Sequence, residues 1–287
     1  MRFRVVHRTE YGYDEVVNQS HGRAHLLPRE EPGQTVLSKK VVIDPTPDEQ
    51  HDHVDYFGNA SSYFRLVSPH DSLTVTSTST VDVDRTVVPW EQLDESVVPH
   101  RRPWTLEPLQ RELVLPSPLV PRIEEIERYA GKVLVSGAPL GAALFGLLDR
   151  IHTDYTYESG ATTVTTPLET LLRLRKGVCQ DFAHLMIGCL RSVGLPARYV
   201  SGYLQTLPPP GRPRLVGADA SHAWVSVLVP GHGWVDLDPT NDQQADQRYV
   251  VVARGRDYSD VPPLKGVIFT RSTKSTLKVS VDVEPLV

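Results

Sequence analysis

Alternating apolar and polar residues dominate the first part of the chain. The runs RFRVVHRTEY, TVLSKKVVID, SSYFRLV and SLTVTSTSTVDVD are rich in Val, Thr and Tyr, residue types that fit a pleated, half-buried surface. Leu73, Val75, Val81 and Val83 share one parity, so one face of their strand is buried and the other is wet. Pro-Gly, Pro-Thr-Pro and Phe-Gly-Asn breaks separate the runs. Residues 1–85 are therefore predicted to form an antiparallel β-sandwich domain.

The pattern changes at residue 86. Pro89, Pro99, Pro103, Pro108, Pro116, Pro118 and Pro121 punctuate the next stretch, with Trp90 and Trp104 among them. Proline removes a helical donor and clashes with the preceding turn, so 86–121 is predicted to be a connector with short helical pieces. Helical spacing then takes over. RIEEIERYAGKVL carries Ile123, Ile126 and Ala130, PLGAALFGLLDRIH opens on Pro139, and TPLETLLRLRKG has Thr166 as a candidate N-cap. In CQDFAHLMIGCLRSVGLPA, Phe182, Leu185, Met186, Cys189, Leu190 and Val193 form one apolar stripe, and Gly194 and Pro196 end it. ARYVSGYLQT, HAWVSVLV and GWVDLDP read as strands, as do KGVIFT and TLKVSVDVE in the tail. Residues 122–287 are predicted to be a second domain with a C-terminal β extension, giving an α+β protein.

Bulk composition narrows the function classes. A chain of 287 residues exceeds one ordinary core. Hydrophobic residues at 40% and charged residues at 23% indicate a globular chain, and a net charge of −5 gives no reason to expect nucleic acid or an anionic membrane as partner. Charges interrupt every apolar stretch of MRFRVVHRTEYGY, and no run approaches the roughly 18 apolar residues of a membrane span. The cytoplasm is the expected compartment. The two cysteines, Cys179 and Cys189, lie ten residues apart on one predicted helix. That is roughly 15 Å, too far for a disulfide, and the spacing suits zinc poorly.

Cys179 opens its helix, before the apolar stripe develops. Free N–H groups and the helix dipole there favour an anion, and a thiolate is the nucleophilic form of cysteine. Cys189, mid-stripe, is a core residue. His222 stands where a polar loop becomes a strand, placed to exchange a proton near neutrality. GWVDLDPTN follows a break at 230–233. A hairpin centred on position 230 would set His222 opposite Asp238; Asp236 shares that face, and periodicity does not choose between the two.

The segments RKGVCQDFAHLMIGCLRSVGLPARYVSGYL and SHAWVSVLVPGHGWVDLDPTN resemble the core of the transglutaminase-like superfamily, with matches at GVCQDF, HAW and DPT. The β-rich start and GRDYSDVPPLKGV resemble its bacterial branch. The resemblance implies a papain-like core of helices packed on an antiparallel sheet. It also implies that Cys179 is nucleophile, His222 base and Asp238 orienting acid, and that the reaction is acyl transfer at a peptide or glutaminyl amide through a thioester. Hydrolysis is favoured over cross-linking, because the extra domains of the animal enzymes are lacking. A peptide-binding scaffold without turnover is the alternative reading. No cofactor or metal is expected: His51-Asp52-His53 lacks a third partner, and no calcium-loop pattern occurs. The partner is a peptide or protein amide, and nothing in the residues sets the oligomeric state.

Supporting positions follow. Gln180 is a candidate for the oxyanion pocket or the first helical turn, where Asp181 suits the dipole and is expected to point away from a thiolate. Tyr155 and Tyr157 lie on the approach to the core, Trp224 and Trp234 are expected in the cleft wall or the hairpin face, and 206–221 forms a proline-stiffened rim.

Overall fold

Strand Arg2–Ala24 (β1), 23 residues long, organises the first sheet. With Gln34–Asp44 (β2), Glu49–Val54 (β3), Ala60–Leu66 (β4) and His70–Val83 (β5) it makes the order β2-β5-β1-β4-β3. The register with β5 slips between Gly12 and Val17, so β1 bends and changes neighbours. Its first half pairs β5 and its second half pairs β4. All these strands belong to one antiparallel sheet that curls through the bend, where the alternation suggested a sandwich. Alternation fixes which residues face inward, and a long bent strand satisfies that pattern as well as two stacked sheets do. The computed structural model describes residues 1–94, 96, 98, 106–206 and 221–286. Pro99, Pro103, Trp104 and nearly all of the 206–221 rim lie outside them.

Short helices Trp90–Leu93 (α1) and Pro108–Glu112 (α2) occupy the proline-punctuated stretch. Helices Glu124–Ala130 (α3) and Leu140–Asp154 (α4) follow, α4 starting directly after Pro139. The two-residue strand Thr156–Tyr157 (β6) pairs in parallel with Lys176–Gly177 (β7), across helix Leu168–Leu174 (α5). Pro167 caps α5, one residue beyond the predicted Thr166, whose hydroxyl instead accepts the Thr163 N–H. Helix Cys179–Ser192 (α6) ends in the predicted way. Gly194 takes φ +87°, and the Leu195 N–H reaches back to the Leu190 carbonyl.

The second sheet contains Ala197–Leu204 (β8), Ser221–Val229 (β9), Gly233–Asp238 (β10), Gln243–Gln244 (β11) and Tyr249–Gly255 (β12), in the order β11-β10-β9-β8-β12. One face carries Tyr199, Val225, Val227, Val235 and Leu237 into the core shared with Phe182, Leu185, Met186 and Cys189 of α6. The strands Leu264–Thr270 (β13) and Ser275–Leu286 (β14) then return to the first sheet. β13 pairs Val17–Ala24 and β14 pairs Arg2–Tyr13, both on β1. The tail, expected as an extension of the 122–287 domain, thus supplies two strands to the N-terminal sheet. β1 has two edges whose N–H and C=O groups need partners, and β4 and β5 cover only one each.

The units share one core as well. Phe3, Val5, Val81, Val83, Val281 and Val283 belong to the same apolar cluster as α4, α6 and the second sheet. Side chains of the first unit also close the outer edge of β12. Gln34 exchanges hydrogen bonds with the Val251 N–H and C=O at 2.7 and 2.8 Å, and Asn59 does the same for Arg254 at 2.8 and 2.8 Å.

Candidate active site

Val178, extended at φ −120°, precedes α6, and Cys179 is its first helical residue. The helix start is fixed from inside. Asp181 Oδ2 accepts the Val178 N–H at 2.8 Å and the Thr162 hydroxyl at 2.6 Å. Burial raises the Asp181 carboxyl above its ordinary range, against those two bonds. Its oxygen serves the chain before the helix, as the need to keep it from a thiolate predicted. Gly177 makes room for it: a Cβ there would come within 2.7 Å of Asp181 Oδ2 and 2.8 Å of Leu171 Cδ1. Gly177→Ala should therefore cost about 1–3 kcal/mol by overpacking, read as a lower urea midpoint. Gln180, the candidate oxyanion residue, gives its amide N–H to the Val164 carbonyl at 3.0 Å.

His222 begins β9, and its Nε2 lies 2.7 Å from Asp238 Oδ2. The Cys179 side chain lies by the same ring, close enough to add to its electrostatics, and both residues line one cleft. With Nε2 engaged by Asp238, Nδ1 is the nitrogen left for sulfur. Burial alone would lower the imidazolium. The charge and hydrogen bond of Asp238, joined by Cys179, outweigh it and raise His222 to about 10.

Asp238 is completely buried. Oδ1 accepts the Thr240 N–H at 2.9 Å, while Oδ2 accepts Asn241 Nδ2 and the Tyr249 hydroxyl, each at 2.7 Å. Burial pushes this carboxyl up, but His222, Asn241 and Tyr249 together hold it below its ordinary value. Gln243 donates to the Tyr249 hydroxyl at 2.6 Å and so aims its proton at Asp238.

The register differs from the predicted one by two residues. Val235 pairs Val227 and Leu237 pairs Val225, so the hairpin centre is 231 and Asp238 falls level with Trp224. His222 therefore reaches Asp238 diagonally. Extending the turn by a residue on each strand moves the register by two and leaves face parity intact. Asp236 takes a different part. It binds Arg254 Nη1 at 3.0 Å and Nη2 at 3.1 Å, and accepts Trp224 Nε1 at 3.1 Å. Trp224 in turn stacks on His222, centroids 6.1 Å apart and planes 28° apart, and backs the ring.

Cys179 and His222 open onto a cleft of about 330 Å³, lined also by Tyr157, Leu204, Ser221 and Asn241. Tyr157 is the upstream tyrosine that reaches it. Tyr155 is buried against Tyr129 and Phe182. Trp234 lies away from the cleft, under the Arg198 guanidinium at 3.8 Å. Cys189 is fully buried, and burial raises its thiol far above the ordinary value. His51, Asp52 and His53 stand exposed on β3, and among the described residues no three His, Cys, Asp or Glu side chains are grouped to hold a metal. Sequence reasoning missed Asn241, Tyr249 and Arg254. The Asp-Pro-Thr-Asn run signals a side-chain-stabilised turn and could have pointed to Asn241; Tyr249 and Arg254 carry no local signal.

Comparison with known proteins agrees with this architecture. Residues 3–82 match the bacterial transglutaminase-like N-terminal region, and residues 129–239 match the transglutaminase-like superfamily core. The chain is 46% identical over 298 residues to an uncharacterized protein of Mycobacterium tuberculosis H37Rv, covering 99% of this chain and 93% of that one. A protein-glutamine gamma-glutamyltransferase of Pseudomonas aeruginosa is 33% identical over 153 residues, which is 53% of this chain and 22% of that protein. A solved structure of a candidate cysteine protease from Cytophaga hutchinsonii shares the fold at a TM-score of 0.78 and 22% identity, covering 98% of this chain and 90% of that one. The chain belongs to the transglutaminase-like superfamily, in its bacterial branch.

Proposed function

We propose that this protein is a cysteine-dependent acyl-transfer enzyme acting on peptide or glutaminyl amides, with Cys179 as nucleophile, His222 as general base and acid, and Asp238 as orienting acid. One observation carries the reading: the His222 ring joins a buried, multiply hydrogen-bonded carboxylate to a thiol at a helix mouth that faces a cleft.

His222 accepts the Cys179 proton, and the sulfur attacks the amide carbonyl carbon. Negative charge collects on the carbonyl oxygen, where N–H groups of the α6 mouth can face it. The C–N bond breaks as His222 returns its proton to the departing nitrogen, leaving a thioester on Cys179. Water, deprotonated by His222, then adds to the thioester, and acid and thiol separate. A primary amine in place of water would give transamidation. The open cleft favours water. A reducing compartment such as the cytoplasm would keep both thiols free.

A glutaminyl peptide tests the reaction. Ammonia should be released and the product should gain a carboxyl even with primary amine present, and Cys179→Ala should release none. Ammonia release unchanged in Cys179→Ala would sink the reading. The basic side of the rate profile is set by the imidazolium that protonates the leaving nitrogen, so activity should fall as pH rises through about 10. In Asp238→Asn that limb should move to lower pH, because the raising charge is gone. Stability follows the same group: a raised His222 stabilises fully below its ordinary value of 6.5, and that contribution disappears as pH rises through about 10.

A further inference from the structure

Between the first unit and the second sheet lies a cavity of about 600 Å³, whose lining shares no residue with the cleft of Cys179 and His222. Its lining includes four arginines, Arg29, Arg85, Arg198 and Arg254, against three acids, Glu31, Asp84 and Asp236. Three of the arginines are paired. Arg254 binds Glu31 at 2.7 Å and Asp236 at 3.0 Å, while Arg29 and Arg85 reach Glu31 at 3.3 and 3.2 Å. Among the described residues Arg198 has no such partner. Its guanidinium carbon sits 3.8 Å from the centroid of the Trp234 ring, and its buried Nε has no hydrogen-bond acceptor among the described residues. Burial pushes Arg198 well below its ordinary value, helped by the charge of Arg254 and opposed by Asp236 and Glu31. A guanidinium does not give up its proton in a protein, so relief has to come from a counter-charge.

We propose that this cavity binds a small organic monocarboxylate, its two oxygens held by the Arg198 guanidinium and its apolar part lying along Trp234. Geometry favours the carboxylate. The guanidinium fork presents parallel donors that match two carboxylate oxygens. Charge favours a monoanion: four lining cations against three anions leave a single positive charge, which one carboxylate neutralises. A phosphate dianion would overshoot and meet Glu31, Asp84 and Asp236. The indole wall gives the remainder of the ligand an apolar contact. The site is distinct from Cys179, and its ligand is not the acyl substrate.

Calorimetric titration with benzoate and, separately, inorganic phosphate tests the assignment on the full chain. Benzoate should bind saturably at one site, and phosphate should bind at least about tenfold more weakly, which is about 1.4 kcal/mol. Arg198→Gln should weaken benzoate by about tenfold or more. Arg198→Lys, which keeps the charge without the fork, should fall between. Asp84→Asn leaves the guanidinium cluster untouched and should tighten benzoate about two- to threefold by removing a nearby negative charge; this variant keeps the test sharp if Arg198→Gln folds poorly by circular dichroism. Absence of saturable benzoate binding, phosphate binding as tight as benzoate, or affinity unchanged in both Arg198→Lys and Asp84→Asn would overturn the proposal.

Discussion

Brief iodoacetamide treatment of the native protein at neutral pH should add one group, on Cys179, and should silence the proposed acyl transfer in step with the labelling. Cys179 is partly exposed at the cleft, whereas Cys189 is fully buried and its thiol is held protonated by burial. Cys179→Ala should remove both the label and at least about 10³-fold of the proposed turnover, because loss of the proposed nucleophile leaves only binding and oxyanion stabilisation. Cys189→Ala should leave the labelling intact and report instead on packing in α6. Intact-mass spectrometry reads the stoichiometry, and peptide mapping reads the position. Equal, slow modification of both thiols would count against a reactive pair. Asp238→Asn should also lower turnover by several orders of magnitude. It preserves shape but removes the charge that holds the His222 imidazolium, and changes of this kind at a buried triad acid cost about 10⁴-fold elsewhere.

The second large effect concerns stability. Arg254→Ala should destabilise the fold by about 3–5 kcal/mol, the usual cost of stripping one member from a buried ion pair. Arg254 and Asp236 side chains are 6% and 5% exposed, and Glu31 is 8% exposed. Alanine would leave the buried Asp236 carboxylate without its ion-pair partner and Glu31 with only the longer contacts to Arg29 and Arg85. Arg254→Met should cost less in a double variant with Asp236→Leu, since apolar replacement of a complete buried pair is often tolerated. The pH dependence has a definite sign. Burial raises Asp236, but Arg254 and then Arg85 outweigh it and hold the carboxyl far below its ordinary value of 3.8. Its stabilisation is therefore present above pH 3.8 and lost as pH falls further. Urea midpoints between pH 7 and pH 2 should show the wild type losing this contribution and Arg254→Ala lacking it throughout.

How much could be read from the residues depends on how local the cause is. The α6 stripe, its Gly194 stop and the position of Cys179 before it are set by neighbours within a few residues, and they were legible. The face shared by His222 and Asp238 was legible too, since parity survives any two-residue change in register. The register itself was not, because turn length at Gly231–Gly233 decides it. Asp236 and Asp238 looked equivalent along the strand. Arg254, sixteen residues beyond Asp238, distinguishes them, and that pairing exists only after β12 has docked. Tyr249 escaped notice for the same reason. In the tail, TLKVSVDVE announced a strand but gave no hint of its neighbour, because β-ladder partners are chosen by which edge is vacant when the rest has folded. The bend that makes one curled sheet from β1 is equally silent in the alternation.

The pairing of β14 along β1 also decides how the molecule would answer to force. Arg2 and Leu286 face each other at one end of an antiparallel ladder, so a pull applied at the two chain ends would open that ladder like a zipper, one pair at a time. The first pairs to open carry Phe3, Val5 and Val283, whose side chains also pack in the core shared with the second sheet. In an optical trap the ladder should therefore resist at its ends, and its opening should loosen the part that holds Cys179 and His222.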